Sequence, residues 1–413
     1  MRSFLLLAAV LVAAGGPVYS AADCTANDAE CRGAAVRAAR ERLAAIPLNE
    51  SDTLVKPEAR GAIEALKDRI VDYILSAVPQ LATDATAETA QRRLNEQGGA
   101  VEDVRDFSLP GAAPDRHGAS LSYQVTRQRG HPFLMVVIAR FGIMCGEDSL
   151  FFIFERTDRG ARPLIVRRSA PLIEISGAWE NLQFALSPRD ERGRWYVAMS
   201  HTPPWCQSVW RSLTYDLARP GAEPTRPDVF FSRTVEHNID SDVPLALRAG
   251  TNRLQVEHDG GIRDVLINRR RHVETYAIAG RAVRRIQPVA FNVRDFVDEW
   301  LSAGWAEASG WSAAAPSLAV AHRTVRAALY TEHGPSTFRA IRRCSPDLHD
   351  VQLGPDPLDR EADGLLSWHF LVRGRGPYRL ERAERNREAA CAGPDVGDEI
   401  EAGNRRQMGF PAF

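Results

Sequence analysis

Between residues 57 and 78 the apolar positions Ile63, Leu66, Ile70, Tyr73 and Ile74 recur at intervals of three and four. That spacing predicts a helix with one buried face. Upstream, residues 28–45 are rich in Ala, Arg and Glu and poor in β-branched side chains, which also favours helix. A shorter helix is expected over 86–96, ended by "NEQGG". Residues 23–110 therefore form a helical segment.

The period then changes. Over 118–291 short apolar or aromatic runs alternate with polar turns. "FERTDRGARPLIV", "SPRDERGRWYV" and "VEHDGGIRDVLI" each set two strand-like runs around Asp and Gly, with Gly160, Gly193 and Gly261 available for positive φ. The class expected is an antiparallel β domain. Shifting the chain by 61 residues lays Val136 on Val197, Cys145 on Cys206, Phe154 on Tyr215 and Gly160 on Gly221. Units of that size suit a sandwich or a partial propeller-like array.

From Asn292 the pattern turns helical again. "NVRDFVDEWLSAGW" offers an Asn N-cap, acids at 295, 298 and 299, and Phe296, Val297, Trp300 and Leu301 on one face. A further helix over 318–330 precedes strands in "FRAIRRC" and "LSWHFLVRGRGPYRLERA", the last pair turning at 374–377. Residues 292–391 thus read as an α+β domain, and 392–413 as a loose tail.

The first residues change where this fold is expected to work. One arginine, an apolar run over 4–14, then Gly15, Gly16, Pro17 and small residues have the order of a secretory signal peptide. Cleavage is expected after Ala22, with Ser20 the alternative. The apolar core is too short to span a bilayer, and no later stretch approaches the roughly 18 apolar residues a membrane helix needs. A periplasmic or secreted protein of about 390 residues is the expectation.

Six cysteines in an exported chain read as three disulfides. Proximity and the repeat favour Cys24–Cys31, Cys145–Cys206 and Cys344–Cys391. A helical spacing of seven spans about 10 Å, too far for a disulfide, so Cys24–Cys31 requires the first helix to begin near residue 28. Cys206 also has His201 five residues away, the residue types of an activated thiol, but two prolines intervene and the structural disulfide is preferred.

Composition chiefly excludes. Net charge is −1, so no nucleic-acid partner is expected, and Lys56 and Lys67 are the only lysines, which disfavours Schiff-base and P-loop chemistry. There is no HExxH, CxxC, GxSxG or helix-opening GxGxxG, and no cofactor is expected.

The candidates that remain are dispersed. Glu147, Asp148 and His201 are weak candidates for acid–base work. Trp205 and Trp210 bracket Cys206 and could stack on a sugar ring. Arg269 and Arg271 share a strand face in "RDVLINRRRHVETYAIAGRAVRRI", where an anionic or glycan envelope component could dock, while Arg270 points away. Asp359, Glu361 and Asp363 resemble a calcium loop, but its twelfth position is Phe370, so no metal site is expected. The reading favours an exported binding or interaction protein over an enzyme, with a hydrolase of cell-envelope polymers as the alternative.

Overall fold

The computed structural model describes residues 24, 28–47, 54–81, 85–101, 117–128, 130–158, 160–204, 209–239, 244–261, 269–286, 290–331, 336–355, 367–386, 390–400 and 402. The chain forms two compact units, Met1–Ala178 and Trp179–Phe413. That division falls inside the stretch that hydrophobic period groups together.

The first unit sets three helices, α1 (Ala29–Ala44), α2 (Pro57–Ala77) and α3 (Ala87–Gly98), beside one four-stranded sheet. The strands are β1 (Leu121–Gln128), β2 (His131–Ile143), β3 (Gly146–Thr157) and β4 (Gly160–Arg168), paired antiparallel in chain order. Local chemistry starts each helix. The Asp28 side chain accepts from the Cys31 amide at 2.8 Å, Pro57 opens α2, and Thr86 accepts from the Thr89 amide at 3.1 Å. Gly99, in the left-handed region at φ 68°, ends α3.

The expected α2 stripe is wholly buried and shares a core with Leu121, Tyr123, Val137, Phe152 and Phe154 of the sheet. Alternation along β1 makes this possible, since Leu121, Tyr123 and Val125 face one way. The outer edge of β1 is covered from α3. Asn95 Oδ1 accepts from the Tyr123 amide at 2.9 Å and Gln91 Oε1 from the Val125 amide at 3.1 Å. Two side chains one helical turn apart thus stand in for a neighbouring strand.

The second unit holds three more four-stranded antiparallel sheets. The first contains β5 (Glu180–Leu186), β6 (Val197–Thr202), β7 (Trp210–Arg219) and β8 (Asp228–Asn238). The second contains β9 (Ala246–Ala249), β10 (Arg253–Gly261), β11 (Arg269–Ala279) and β12 (Ala282–Arg285), with β10 and β11 inside. These two sheets share one core, Leu213, Tyr215 and Leu217 from one meeting Leu254, Val256, Tyr276 and Ile278 from the other. Among the described residues no sheet closes into a barrel or propeller.

The C-terminal region follows with α4 (Val293–Ser302), α5 (Trp305–Ala308) and α6 (Pro316–Thr331). Its sheet comprises β13 (Ser336–Ser345), β14 (Leu348–Pro355), β15 (Ser367–Arg373) and β16 (Arg379–Asn386). Phe296, Val297, Trp300 and Leu301 of α4 pack with Ile341, Val351, Phe370 and Val372 of that sheet. The opposite face of α4, with Arg294, Asp295, Asp298 and Glu299, is buried too.

Two of the three expected disulfides are present, Cys24–Cys31 and Cys344–Cys391, with Cα separations of 5.8 and 5.6 Å. Cys24 precedes α1 and Cys31 lies in its first turn, as the spacing argument requires. Cys206 lies outside the described residues, and so does its expected pairing with Cys145. Gly160 and Gly193 have the expected positive φ, at 119° and 72°, whereas Gly261 closes strand β10 without one.

Candidate functional site

Glu147 and Asp148 begin β3 on opposite faces, and the fold commits both. Asp148 is fully buried with its Oδ2 3.0 Å from Lys67 Nζ. The lysine also lies 2.9 Å from Glu64 Oε1 and donates to Ser169 Oγ at 2.6 Å, and Ser169 in turn donates to Asp148 Oδ2 at 2.7 Å. With the Ala170 carbonyl as a further acceptor at 3.4 Å, these groups make a clamp between α2, β3 and the end of β4 around a lysine with no solvent exposure. Glu147 lies across the hairpin from Arg140, Oε1 to Nε 3.2 Å.

His201 belongs to the other compact unit, on β6, where its ring stacks on Trp179 with centroids 4.8 Å apart. Trp210 is half-buried at the start of β7. Trp205 and the acids Asp359, Glu361 and Asp363 lie outside the described residues.

The arginine run sits on β11, an inner strand. Arg269 and Arg271 do share a face, and both have acidic neighbours on β10: Arg271 Nη2 is 2.6 Å from Glu257 Oε1 and Arg269 Nη1 is 3.6 Å from Asp259 Oδ2. Arg270 turns the other way, into the protein, where its Nη2 reaches Asp298 Oδ2 at 2.8 Å and Glu299 Oε1 at 2.9 Å.

That inward face carries the densest charge among the described residues. Arg270, His272, Glu274 and Tyr276 alternate along β11 and point toward α4 and the neighbouring sheet. Glu299 takes His272 Nδ1 at 2.9 Å besides its arginines, among them Arg285 of β12. Glu274 Oε2 accepts from the Tyr215 hydroxyl at 2.8 Å and from the Tyr276 hydroxyl, with Arg233 and Arg285 each 3.6 Å away. His258 and His272 stack in parallel, centroids 5.0 Å apart, and the absence of a side chain at Gly260 leaves room for both rings.

Burial alone would raise both glutamates. Arg285, His258 and Arg233 outweigh it at Glu274, and Arg285 and Arg270 do so at Glu299, so both carboxyls stay well below their usual range. Burial pushes His258 down, against the pull of Glu274. Glu274, Glu299 and His258 are all buried and turned toward one another inside the fold. The arrangement joins β11 and β12 to α4. Sequence reasoning missed it by weighing the outward arginines. The signal available was the polar period of two at 270, 272, 274 and 276, opposite a helix whose non-apolar face is acidic.

Solvent does reach a different place. A cleft of about 620 Å³ lies between the start of α4, the β13–β14 turn and the β15–β16 turn, lined among others by Val293, Arg343, His349, Arg375, Tyr378 and Val396. Arg343 Nη2 meets Glu399 Oε2 at 2.9 Å, and Arg375 Nε donates to the Pro346 carbonyl at 3.1 Å. Burial, then Arg343, lowers the His349 pKa. A second hollow of about 440 Å³ runs along α3 beside Val125, but its Gln91 and Asn95 already serve the edge of β1. Among the described residues no group of His, Cys, Asp and Glu has metal-binding geometry, and no helix is long and apolar enough to cross a membrane.

No protein-family model, curated protein or solved structure matches the chain.

Proposed function

We propose that this is an exported, disulfide-stabilised binding or interaction protein of the bacterial periplasm or cell surface. One contrast carries the reading. Asp148 is spent on a buried pair with Lys67, Glu147 on a part-exposed one with Arg140 and His201 on a stack with Trp179, while the solvent-open cleft presents Arg343, Arg375 and His349 beside apolar walls. A binding protein needs a concave surface with a few polar groups, which is what the cleft offers.

The secretory leader and the two disulfides favour an oxidising compartment outside the cytoplasm. We further propose that the sheets β1–β4 and β5–β8 descend from one duplicated unit. The 61-residue shift carries Val136 of β2 onto Val197 of β6 and Phe154 of β3 onto Tyr215 of β7, in meanders of the same order. The core shared by β5–β8 and β9–β12 supports a sandwich over a propeller-like array for that pair.

The test is co-sedimentation of the purified protein with insoluble envelope polymer, with the supernatant assayed for released fragments. Binding without release is expected. Sustained release that Glu147→Gln or His201→Ala abolishes would establish the hydrolase instead.

A further inference from the structure

We propose that the cleft beside α4 is a carboxylate-binding site, and that Glu399 occupies its arginine until an incoming carboxylate takes its place. This rests on the binding-protein reading above and names the chemistry of its ligand. Arg343 lines the cleft, and its side chain and that of Glu399 are 45% and 69% exposed, so their pair is open to solvent rather than inside the fold. The contact is single, Nη2 to Oε2, and the Arg343 guanidinium has no other hydrogen bond among the described residues. A guanidinium offers five donors in a fork that fits a carboxylate by two parallel bonds, so an external carboxylate can exceed what Glu399 makes.

The surroundings fit the same ligand. Arg375 is oriented by its bond to the Pro346 carbonyl, which leaves its terminal nitrogens for a second contact. His349 Nδ1 is buried without a hydrogen-bond partner, a polar atom that an incoming group can satisfy. Val293, Tyr378, Val396 and Ile400 line the cleft with apolar surface, which a carboxylate on an apolar body covers and a bare anion does not. The displaced group is itself a carboxylate on a flexible aliphatic stem, so the resident contact already has the chemistry of the expected ligand.

The probes are an N-acetylated dipeptide with a free α-carboxylate, the same dipeptide as its C-terminal amide, and inorganic phosphate, each titrated calorimetrically into the full mature chain. The acid is expected to bind at least ten-fold more tightly than the amide or phosphate. Arg343→Gln should weaken the acid ten-fold or more. Glu399→Gln should tighten it about two- to five-fold, because an exposed ion pair of this kind competes only weakly. Equal binding of acid and amide, competition by phosphate at equal strength, or an affinity that Glu399→Gln leaves unchanged would each overturn the proposal. Envelope-polymer binding that survives Arg343→Gln would do so too, while leaving the binding function standing. Absence of polymer binding in the unaltered protein would remove the function itself.

Discussion

Lys67, one of two lysines in the chain, is wholly enclosed between Glu64, Asp148 and Ser169. Removing the cation strands Asp148 in the core, and breaking a buried pair this way costs about 3–5 kcal/mol. Lys67→Met should therefore lower stability by that amount in urea titration of the full chain, with native secondary structure retained. A loss below about 1 kcal/mol would show that the clamp carries little. His117 makes a second prediction at this scale. Burial lowers its pKa from 6.5 to about 4, and its Nδ1 accepts from the Met144 amide at 3.3 Å, which a protonated ring cannot do. The unfolded chain binds this proton near pH 6.5 and the folded chain only near 4, so stability falls as pH drops through that window. The slope owed to one such proton is about 1.4 kcal/mol per pH unit, and His117→Gln should remove that share, measured as stability at several pH values. An unchanged slope would contradict the assignment. Neither role is legible in sequence, because Lys67 looks like any helix lysine until β3 and β4 enclose it.

At the scale of elements, α4 is the part on which the C-terminal region turns. Its start was legible, since Asn292 Oδ1 accepts from the Asp295 amide at 2.9 Å and the apolar stripe is buried as spaced. Capping and stripe are chemistry between near neighbours, and the pattern of residues records them. The fate of the acids was not legible. Asp298 and Glu299 look like partners for the helix dipole, yet they meet Arg270 and Arg285 from strands that only tertiary packing brings near. Phe296→Ala should cost about 3–5 kcal/mol through the cavity it opens. Glu299→Gln should cost a similar amount through two under-compensated arginines. It should also soften acid denaturation. Glu299 and Glu274 have folded pKa values below their unfolded ones, so the stability they contribute is present above the ordinary glutamate range and lost as pH falls below it. Guanidine titrations from pH 7 to 3 check both points, and an acid limb identical to that of the unaltered protein would contradict the second.

At the scale of the whole molecule, the turns at Gly160 and Gly193 were legible, whereas the one expected at Gly261 and the assembly of sheets were not. Gly160 marks the β3–β4 turn because only a local backbone demand is involved. Nothing within ten residues of Tyr215 announces that it will meet Tyr276 across two sheets. The cleft was missed for the same reason, since its arginines, Arg343 near the end of β13 and Arg375 in the β15–β16 turn, are 32 residues apart. Two of the expected disulfides were legible from cysteine proximity. Cys344–Cys391 closes a separation of 47 residues and Cys24–Cys31 one of 7. In the chain-entropy picture these stabilise by about 4 and about 2.4 kcal/mol, so replacing the first pair with alanine should lower the thermal midpoint more than replacing the second. The central claim is that internal pairs hold the fold and the C-terminal cleft meets the ligand. Hydrogen-exchange mass spectrometry of the protein, with and without soluble carboxylate-bearing fragments of envelope polymer, tests it most directly. Protection confined to 343–349, 374–378 and 396–400 is the predicted result. Protection at 147–148 or at 201, with the cleft unchanged, would contradict it.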